Sequence, residues 1–388
     1  MPGSTERIAR AFAHELPDRT PLFEIFCKFH PIHWDIAGRN VATDAVMYWD
    51  ALSDGIAWDE LIEAEARAIF DVNRFFGVDM VRVGGNIGPG YARPVKTGRW
   101  SWTLDGTGYL YNERTALVEP AEPMADSAKV TEQERREEIE RCEGLIRPTP
   151  PENFAVLHRV QELAAEAGLD WVYMGEIGAG TGVAFYPPFM LMWLATEPEL
   201  VDRWLYTQKI PAFARTIECI EHGCSVIAIG GDVSCDKGPF ISPAHYRRFI
   251  LPVIQEHVGV IHEHGARAVY TADGNHWDIK EDFFFNSGVD GYKEVDKAAG
   301  MTWPRLIEEG IDRRVCIIGN LDARHTLCLG TPDDVRAEVI ECLTYGQQSP
   351  GGHILHASHS VHEDVKVENY HAAVEAYRQF FGLEPLPR

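Results

Sequence analysis

Short β-branched runs alternate with amphipathic stretches along most of the chain. The strand-like runs are PLFEIF (21–26), VDMVRVGG (78–85), LDWVYMGE (169–176), SVIAIGGD (225–232), ARAVYTAD (266–273), VDGYKEV (289–295), RVCIIGN (314–320) and GHILHAS (352–358). Helical spacing of apolar residues fills the intervals, as in DELIEAEARAIFDVNRFF (59–76), PAHYRRFILPVIQEHVGVIHEHG (243–265), PRLIEEG (304–310) and TPDDVRAEVIECLTYG (331–346). Strands separated by helices predict an α/β protein with a parallel sheet, and eight is the count that closes a TIM-type (β/α)8 barrel. A doubly wound open sheet is the alternative. We read residues 1–388 as one barrel domain with a helical lead-in before the first strand.

One segment breaks this rhythm. RWSWTLDGTGYLYNE (99–113) has period two around a DGTG turn, which predicts a β-hairpin with its glycines at positive-φ positions. The charge run TEQERREEIERCEGLIRPTPPE follows it. Mixed charges at i,i+4 mark a solvated helix rather than a binding face. Residues 99–152 are read as a hairpin and charged helical insertion over one end of the barrel.

Composition narrows the partners. The 388 residues carry a formal net charge of −23. Such an acidic field repels phosphate backbones and anionic lipid, which argues against nucleic acid and membrane partners. Eight cysteines without a CxxC pair read as reduced, mostly buried thiols. The N-terminal segment lacks the apolar core of a signal peptide, and no stretch approaches the roughly 20 apolar residues of a spanning helix. A cytoplasmic protein is expected.

Catalytic groups of a (β/α)8 barrel sit at the C-terminal ends of its strands. In chain order those ends carry Glu24, Arg82 with Asn86, Glu176, Asp232, Asp273 with Asn275 and His276, Glu294, Asn320 with Asp322, and His356 with His359. Turn chemistry explains some Asp and Asn here, and GNLD (319–322) and the Gly-Asp pair at 231–232 are most open to that reading. It does not explain Glu176, Glu294 or His356, which are poor turn formers inside apolar runs. Acids, amides and imidazoles converging from several strands point to a site.

Standard cofactor signatures are absent. GEIGAGTG (175–182) is glycine-rich and follows a strand, but after Gly178 and Gly180 the third glycine of GxGxxG would fall on Val183. Those glycines more simply let a loop pass close to a ligand or a neighbouring segment. His30 and His33 flank a rigid Pro31 and could serve metal or substrate.

Several stretches resemble the uroporphyrinogen decarboxylase superfamily. They are ERIARAFAHELPDRTPLFEIF, GDVSCDKGPFISPAHYRRFILPVI, HGARAVYTADGN, GTPDDVRAEVIECL, GGHILHASHSV and VKVENYHAAVEAYRQFFG. The resemblance covers most of the chain outside 115–165 and implies a TIM-type barrel with its site at the strand C-termini. True decarboxylases of the superfamily grip porphyrinogen carboxylates with an Arg-rich stretch after the first strand. Here that stretch is FEIFCKFHPIHWD (23–35), with one Lys and no Arg, and the acidic charge suits a polyanion badly.

The chain is closer to the other branch, the corrinoid-dependent methyltransferases. Their zinc-thiolate members hold zinc with a His-x-Cys at one strand end and a distal Cys. Thr271 and Asp273 stand at the first two positions, and His359 stands about where the distal Cys would be. The resemblance therefore implies a zinc site rebuilt with hard ligands, Asp273 and His359, with Glu294, His356 or Glu176 as a third, or a site that has abandoned metal. A hard set suits polarising an ether oxygen, as in O-demethylase methyltransferases. The expected reaction moves a methyl group from a small methyl donor, foremost an aryl methyl ether, to the cob(I)alamin of a separate corrinoid protein. Asp232, Glu176 and Asn275 are the expected catalytic residues, and Trp34, Phe185, Tyr186 and Tyr270 line an aryl pocket or the core. The alternatives are a decarboxylase or lyase acting on a small non-porphyrin acid through Asp232 or Asp273, and a non-catalytic relative that binds a corrinoid protein.

Overall fold

In the computed structural model, residues 3–83, 88–121, 130–142 and 151–387 are described. Every expected strand run contributes one strand. They are β1 (Phe23–Glu24), β2 (Met80–Arg82), β3 (Val172–Glu176), β4 (Val226–Gly230), β5 (Arg267–Thr271), β6 (Gly291–Lys293), β7 (Cys316–Ile318) and β8 (His353–Ile354). They pair in parallel in sequence order as one eight-stranded sheet. A parallel bridge between Leu22 and Leu355 joins the last strand to the first. There the Phe23 amide donates to the Leu355 carbonyl at 3.0 Å and the Leu355 amide to the Pro21 carbonyl at 2.9 Å. The sheet is thus a closed barrel rather than an open, doubly wound one.

Alternate strand residues fill the barrel. Phe23, Met80, Met174, Val269, Ile318 and Ile354 belong to an inner cluster separate from the larger core outside the sheet. The lead-in helix α1 (Ser4–Phe12) adds Ile8, Ala11 and Phe12, at helical spacing, to that same cluster. It plugs the N-terminal mouth of the barrel. Fully buried Asp79 pins the plug. It accepts from Ser4 Oγ (3.0 Å), Arg7 (3.2 Å), Arg19 (2.7 Å) and the Leu22 amide (3.0 Å).

Following the same inward register one step along five of the strands turns the filling polar. Met80 gives way to Arg82, Met174 to Glu176, Val269 to Thr271, Gly291 to Lys293, and Ile354 to His356. An apolar lower barrel therefore carries a charged layer at its C-terminal end.

The insertion is larger than a hairpin. Four antiparallel strands, Val95–Gly98, Ser101–Leu104, Thr107–Asn112 and Leu117–Pro120, form a separate sheet after β2. Asp105 and Gly106 turn the expected hairpin with φ of 49° and 81°, as a two-residue turn of matching twist requires. The outer strands leave little trace in the sequence, because Val95–Gly98 is exposed on both faces and shows no alternation. Buried Trp102 anchors the sheet, its Nε1 donating to Asp50 at 3.1 Å. The charged run forms a helix, Glu132–Cys142, tied by Arg136–Glu132 and Arg135–Glu138 pairs, both at 2.7 Å. Residues 143–150 of that run lie outside the described residues. Among the described residues no helix is long and apolar enough to cross a membrane.

Candidate active site

Lys293 sits in the charged layer and is fully buried. Its Nζ donates to Glu294 Oε1 at 2.6 Å and lies 3.5 Å from Glu176 Oε1. The other oxygen of Glu176 is 2.7 Å from Arg82 Nε. An alternating row, Arg82–Glu176–Lys293–Glu294, thus spans the barrel mouth. Adjacent residues of a regular strand point to opposite faces. Glu294 breaks that rule with φ of 68°, a left-handed backbone costly for a non-glycine residue, so that it and Lys293 meet.

Glu24 and His356 close the layer between β1 and β8. Glu24 accepts from the amides of Ile25 (2.9 Å) and Ala357 (3.3 Å) and lies 3.0 Å from His356 Nδ1. The other imidazole nitrogen, Nε2, is buried without a partner. So is the Thr271 hydroxyl.

Asp273 follows β5 on the wall of an open cleft of ≈ 870 Å³, with Asp296, Arg324, Ser358 and His359. Burial, then the charges of Asp232, Glu294 and Asp296, push the Asp273 carboxyl up to about 6, and His359 only partly offsets them. Asp232 is raised by burial and by Glu294. Burial also pushes Glu294 upward, but Lys293, His359 and His356 pull it below its ordinary range. The neighbourhood thus separates its carboxyls into an ionised one, Glu294, and two with raised proton affinity, Asp232 and Asp273.

Gly274 explains why DGN follows this acid. Its φ is 90°, and a Cβ there would lie 2.9 Å from the Ser234 backbone. The chain turns tightly against the segment after β4, where the Asn275 amide donates to the Cys235 carbonyl at 2.9 Å. Asn275 Oδ1 accepts from the Trp277 amide at 3.1 Å, a local turn bond, so this expected catalytic amide also builds the turn. His276 is fully buried against Phe283 and Ser234, and burial lowers it to about 4, so it is a neutral core imidazole.

Other strand-end residues are structural. Asn320 donates to the Met301 carbonyl at 3.0 Å, and Asp322 caps the following turn by accepting from the His325 amide at 2.9 Å. His30 uses both ring nitrogens on backbone, at Val365 O and the Ile32 amide. Asn86 lies outside the described residues. Tyr186 and Tyr270 are core, Phe185 is exposed, and Trp34 bonds the Thr43 carbonyl; none lines the Asp273 cleft. The glycine-rich loop lies against the end of β4, where Thr181 Oγ1 donates to the Gly230 carbonyl at 2.8 Å and the Ala184 amide to the Asp232 carbonyl at 2.9 Å.

The donors expected to hold zinc do not gather into a cage. The carboxylates of Glu294 and Glu176 already hold the Lys293 ammonium, a fixed cation where a metal would need their oxygens. His359 is exposed, and His356 offers one lone nitrogen. Among the described residues, the only trio of His, Cys, Asp or Glu donor atoms within 4.8 Å of one another is His362, Glu363 and Asp364, none an expected ligand. The residues present do not fit a zinc centre built on Asp273, His359, Glu294 and His356.

Lys293 is the group that strand-end reading missed. Its signal was an inward-facing lysine inside a strand run, two residues beyond Gly291.

Comparison with known proteins agrees with this architecture. A methyltransferase from Methanosarcina mazei superposes over 98% of this chain and 99% of its own, with a TM-score of 0.63 and 19% identity, which establishes the shared fold. A uroporphyrinogen decarboxylase from Actinobacillus succinogenes is 30% identical over 152 residues, a match spanning 37% of this chain and 39% of the relative. The family model for uroporphyrinogen decarboxylase (URO-D) matches residues 129–380, from before β3 into the last helix. The chain belongs to the uroporphyrinogen decarboxylase family.

Proposed function

We propose that this chain is a methyltransferase that moves a methyl group from a methoxylated small molecule, foremost an aryl methyl ether, to the cob(I)alamin of a separate corrinoid protein. The observation that carries the reading is the grouping of Asp273, Asp232 and Glu294 beside the open cleft at the strand ends. Cleaving a methyl ether leaves an oxygen anion, which needs a proton. Asp273 faces the cleft and, raised to about 6, holds its proton up to that pH, well above an ordinary carboxyl, so it is the general acid. Asp232, with its own raised proton affinity, adjoins it. Glu294, held by Lys293, stays ionised and keeps the Asp273 proton in place. The corrinoid supplies the electron pair that takes up the methyl group.

Charge supports an uncharged donor. The cleft carries Asp273, Asp296, Glu363 and Asp364, whereas its Arg324 is already paired with Asp236 (2.9 Å) and Asp296 (3.5 Å). A polycarboxylate would meet repulsion here.

The second reading is decarboxylation of a small non-porphyrin acid with Asp232 or Asp273 as acid. It is favoured by the two cations of the barrel mouth, Arg82 and Lys293, although both already hold carboxylates. The test incubates purified protein with 2-methoxyphenol and free cob(I)alamin. Equimolar catechol and methylated corrinoid support the first reading. Their absence, with carbon dioxide released from small aromatic acids, supports the second.

A further inference from the structure

The helix Pro198–Glu221 ends in a tight turn that carries two cysteines. Gly223 supplies the left-handed step, with φ of 98°. The Gly223 amide donates to the Ile220 carbonyl at 2.9 Å, and the Cys224 amide to the Cys219 carbonyl at 3.0 Å. This paired bonding is the Schellman ending of a helix, which sets the side chains of its first and last residues, here Cys219 and Cys224, against each other. An apolar contact commonly fills that place. In this chain two free thiols fill it.

Cys219 and Cys224 are 6% and 4% exposed, and both line a cavity of ≈ 140 Å³. Arg82 and Glu176 of the charged layer share its wall, as does Arg215, so the pair sits on the flank of the candidate active site. Cys219 packs on β3, where a Cβ at Gly175 would lie 3.5 Å from its sulfur. The two thiols also differ in character. A hydrogen bond from Cys224 lowers the proton affinity of Cys219 against the effect of burial, and Arg215 adds to the lowering. The same bond, then burial, raises that of Cys224. A more acidic thiol that attacks, beside a second that resolves, is the arrangement of a redox-active pair.

We propose that Cys219 and Cys224 are a modification site, a dithiol that a small hydroperoxide closes to an intramolecular disulfide. With hydrogen peroxide, the Cys219 sulfur attacks one oxygen. The S–O bond forms, the O–O bond breaks, and water leaves with the thiol proton. The Cys224 sulfur then attacks the Cys219 sulfur. The S–S bond forms, the S–O bond breaks, and the hydroxyl leaves as a second water with the Cys224 proton. The thiols give up two electrons and two protons, and the peroxide takes them. The oxidation does not depend on which reaction the neighbouring site performs.

The reduced full-length chain is treated with one equivalent of hydrogen peroxide, alkylated in urea, digested with trypsin and read by mass spectrometry. The peptide 216–237 is expected to lose two hydrogens and leave Cys219 and Cys224 unalkylated, about tenfold faster than the fully buried Cys316 and Cys342 are oxidised. Dithiothreitol is expected to restore both thiols. Exposed Cys235 lies in the same peptide, so Cys235→Ser is treated in parallel and is expected to keep the disulfide. Cys224→Ser is expected to stop at a sulfenic acid, which dimedone traps on Cys219. Cys219→Ser is expected to give neither disulfide nor adduct. Circular dichroism before and after treatment shows that each protein stays folded. A pair that stays reduced in the folded chain, that closes only once the chain has unfolded, or whose disulfide needs Cys235 would overturn the proposal.

Discussion

Replacing Asp273→Asn removes a carboxyl whose proton affinity the surrounding site has raised. The folded group titrates near 6, against 3.8 ordinarily. At about 1.4 kcal/mol for each tenfold gain in proton affinity, that difference corresponds to about 3 kcal/mol. Asp273 is only half-buried, and solvent screening reduces this to about 1–2 kcal/mol. The sign follows from linkage. Between about pH 4 and 6 the folded chain keeps a proton that the unfolded chain has released, so wild-type stability falls as pH rises through that window. Above about pH 6 the loss is complete. The asparagine variant cannot ionise there, so it should match wild type near pH 4 and exceed it by about 1–2 kcal/mol at pH 7. Urea melts of both proteins at intervals from pH 4 to 8 measure the difference. A difference that is flat with pH, or a variant less stable than wild type at pH 7, would refute the electrostatic account of the cleft.

Other substitutions test other parts of the structure. Asp79→Ala should lower stability by about 3–5 kcal/mol in urea melts, because Arg7 and Arg19 lose their shared buried counterion. Lys293→Met should cost a similar amount, since it leaves Glu176 and Glu294 facing each other without the ammonium, and should abolish any turnover. Gly274→Val should destabilise by about 1–3 kcal/mol, because φ of 90° and the Ser234 backbone leave no room for a side chain; a variant with wild-type stability would show that the turn can open away from Ser234.

The barrel was legible because buried parallel strands are continuous β-branched runs, and each such run produced a strand. The lead-in helix was equally plain, but its role as a plug was not, since that depends on Phe12 meeting Gly291 across the closed barrel. At the strand ends, residue type alone could not separate chemistry from turn formation. Asp273 and Asp322 read alike in the chain, yet one faces a cleft and the other caps a turn. Lys293 escapes a reading of strand ends because it lies inside the expected run 289–295, whose end was assigned to Glu294, and its importance comes from inward register and from Glu176, supplied by another strand. The Glu24–His356 pair joins residues from opposite ends of the chain, and only barrel closure brings them together. The ligand set implied by resemblance assumed that aligned positions converge as a cage. The buried ammonium alters that balance of charge, and nothing near Asp273 in the chain announces it.

The most direct test of the central claim is the pH profile of single-turnover methyl transfer from 2-methoxyphenol to free cob(I)alamin, for wild type and Asp273→Asn. A protonated Asp273 acting as general acid predicts that wild-type rates fall as pH rises through about 6 and that the variant is slower by about 10²–10⁴-fold without that limb. Methyl transfer by the variant at the wild-type rate, or no methyl transfer by either protein, would contradict it.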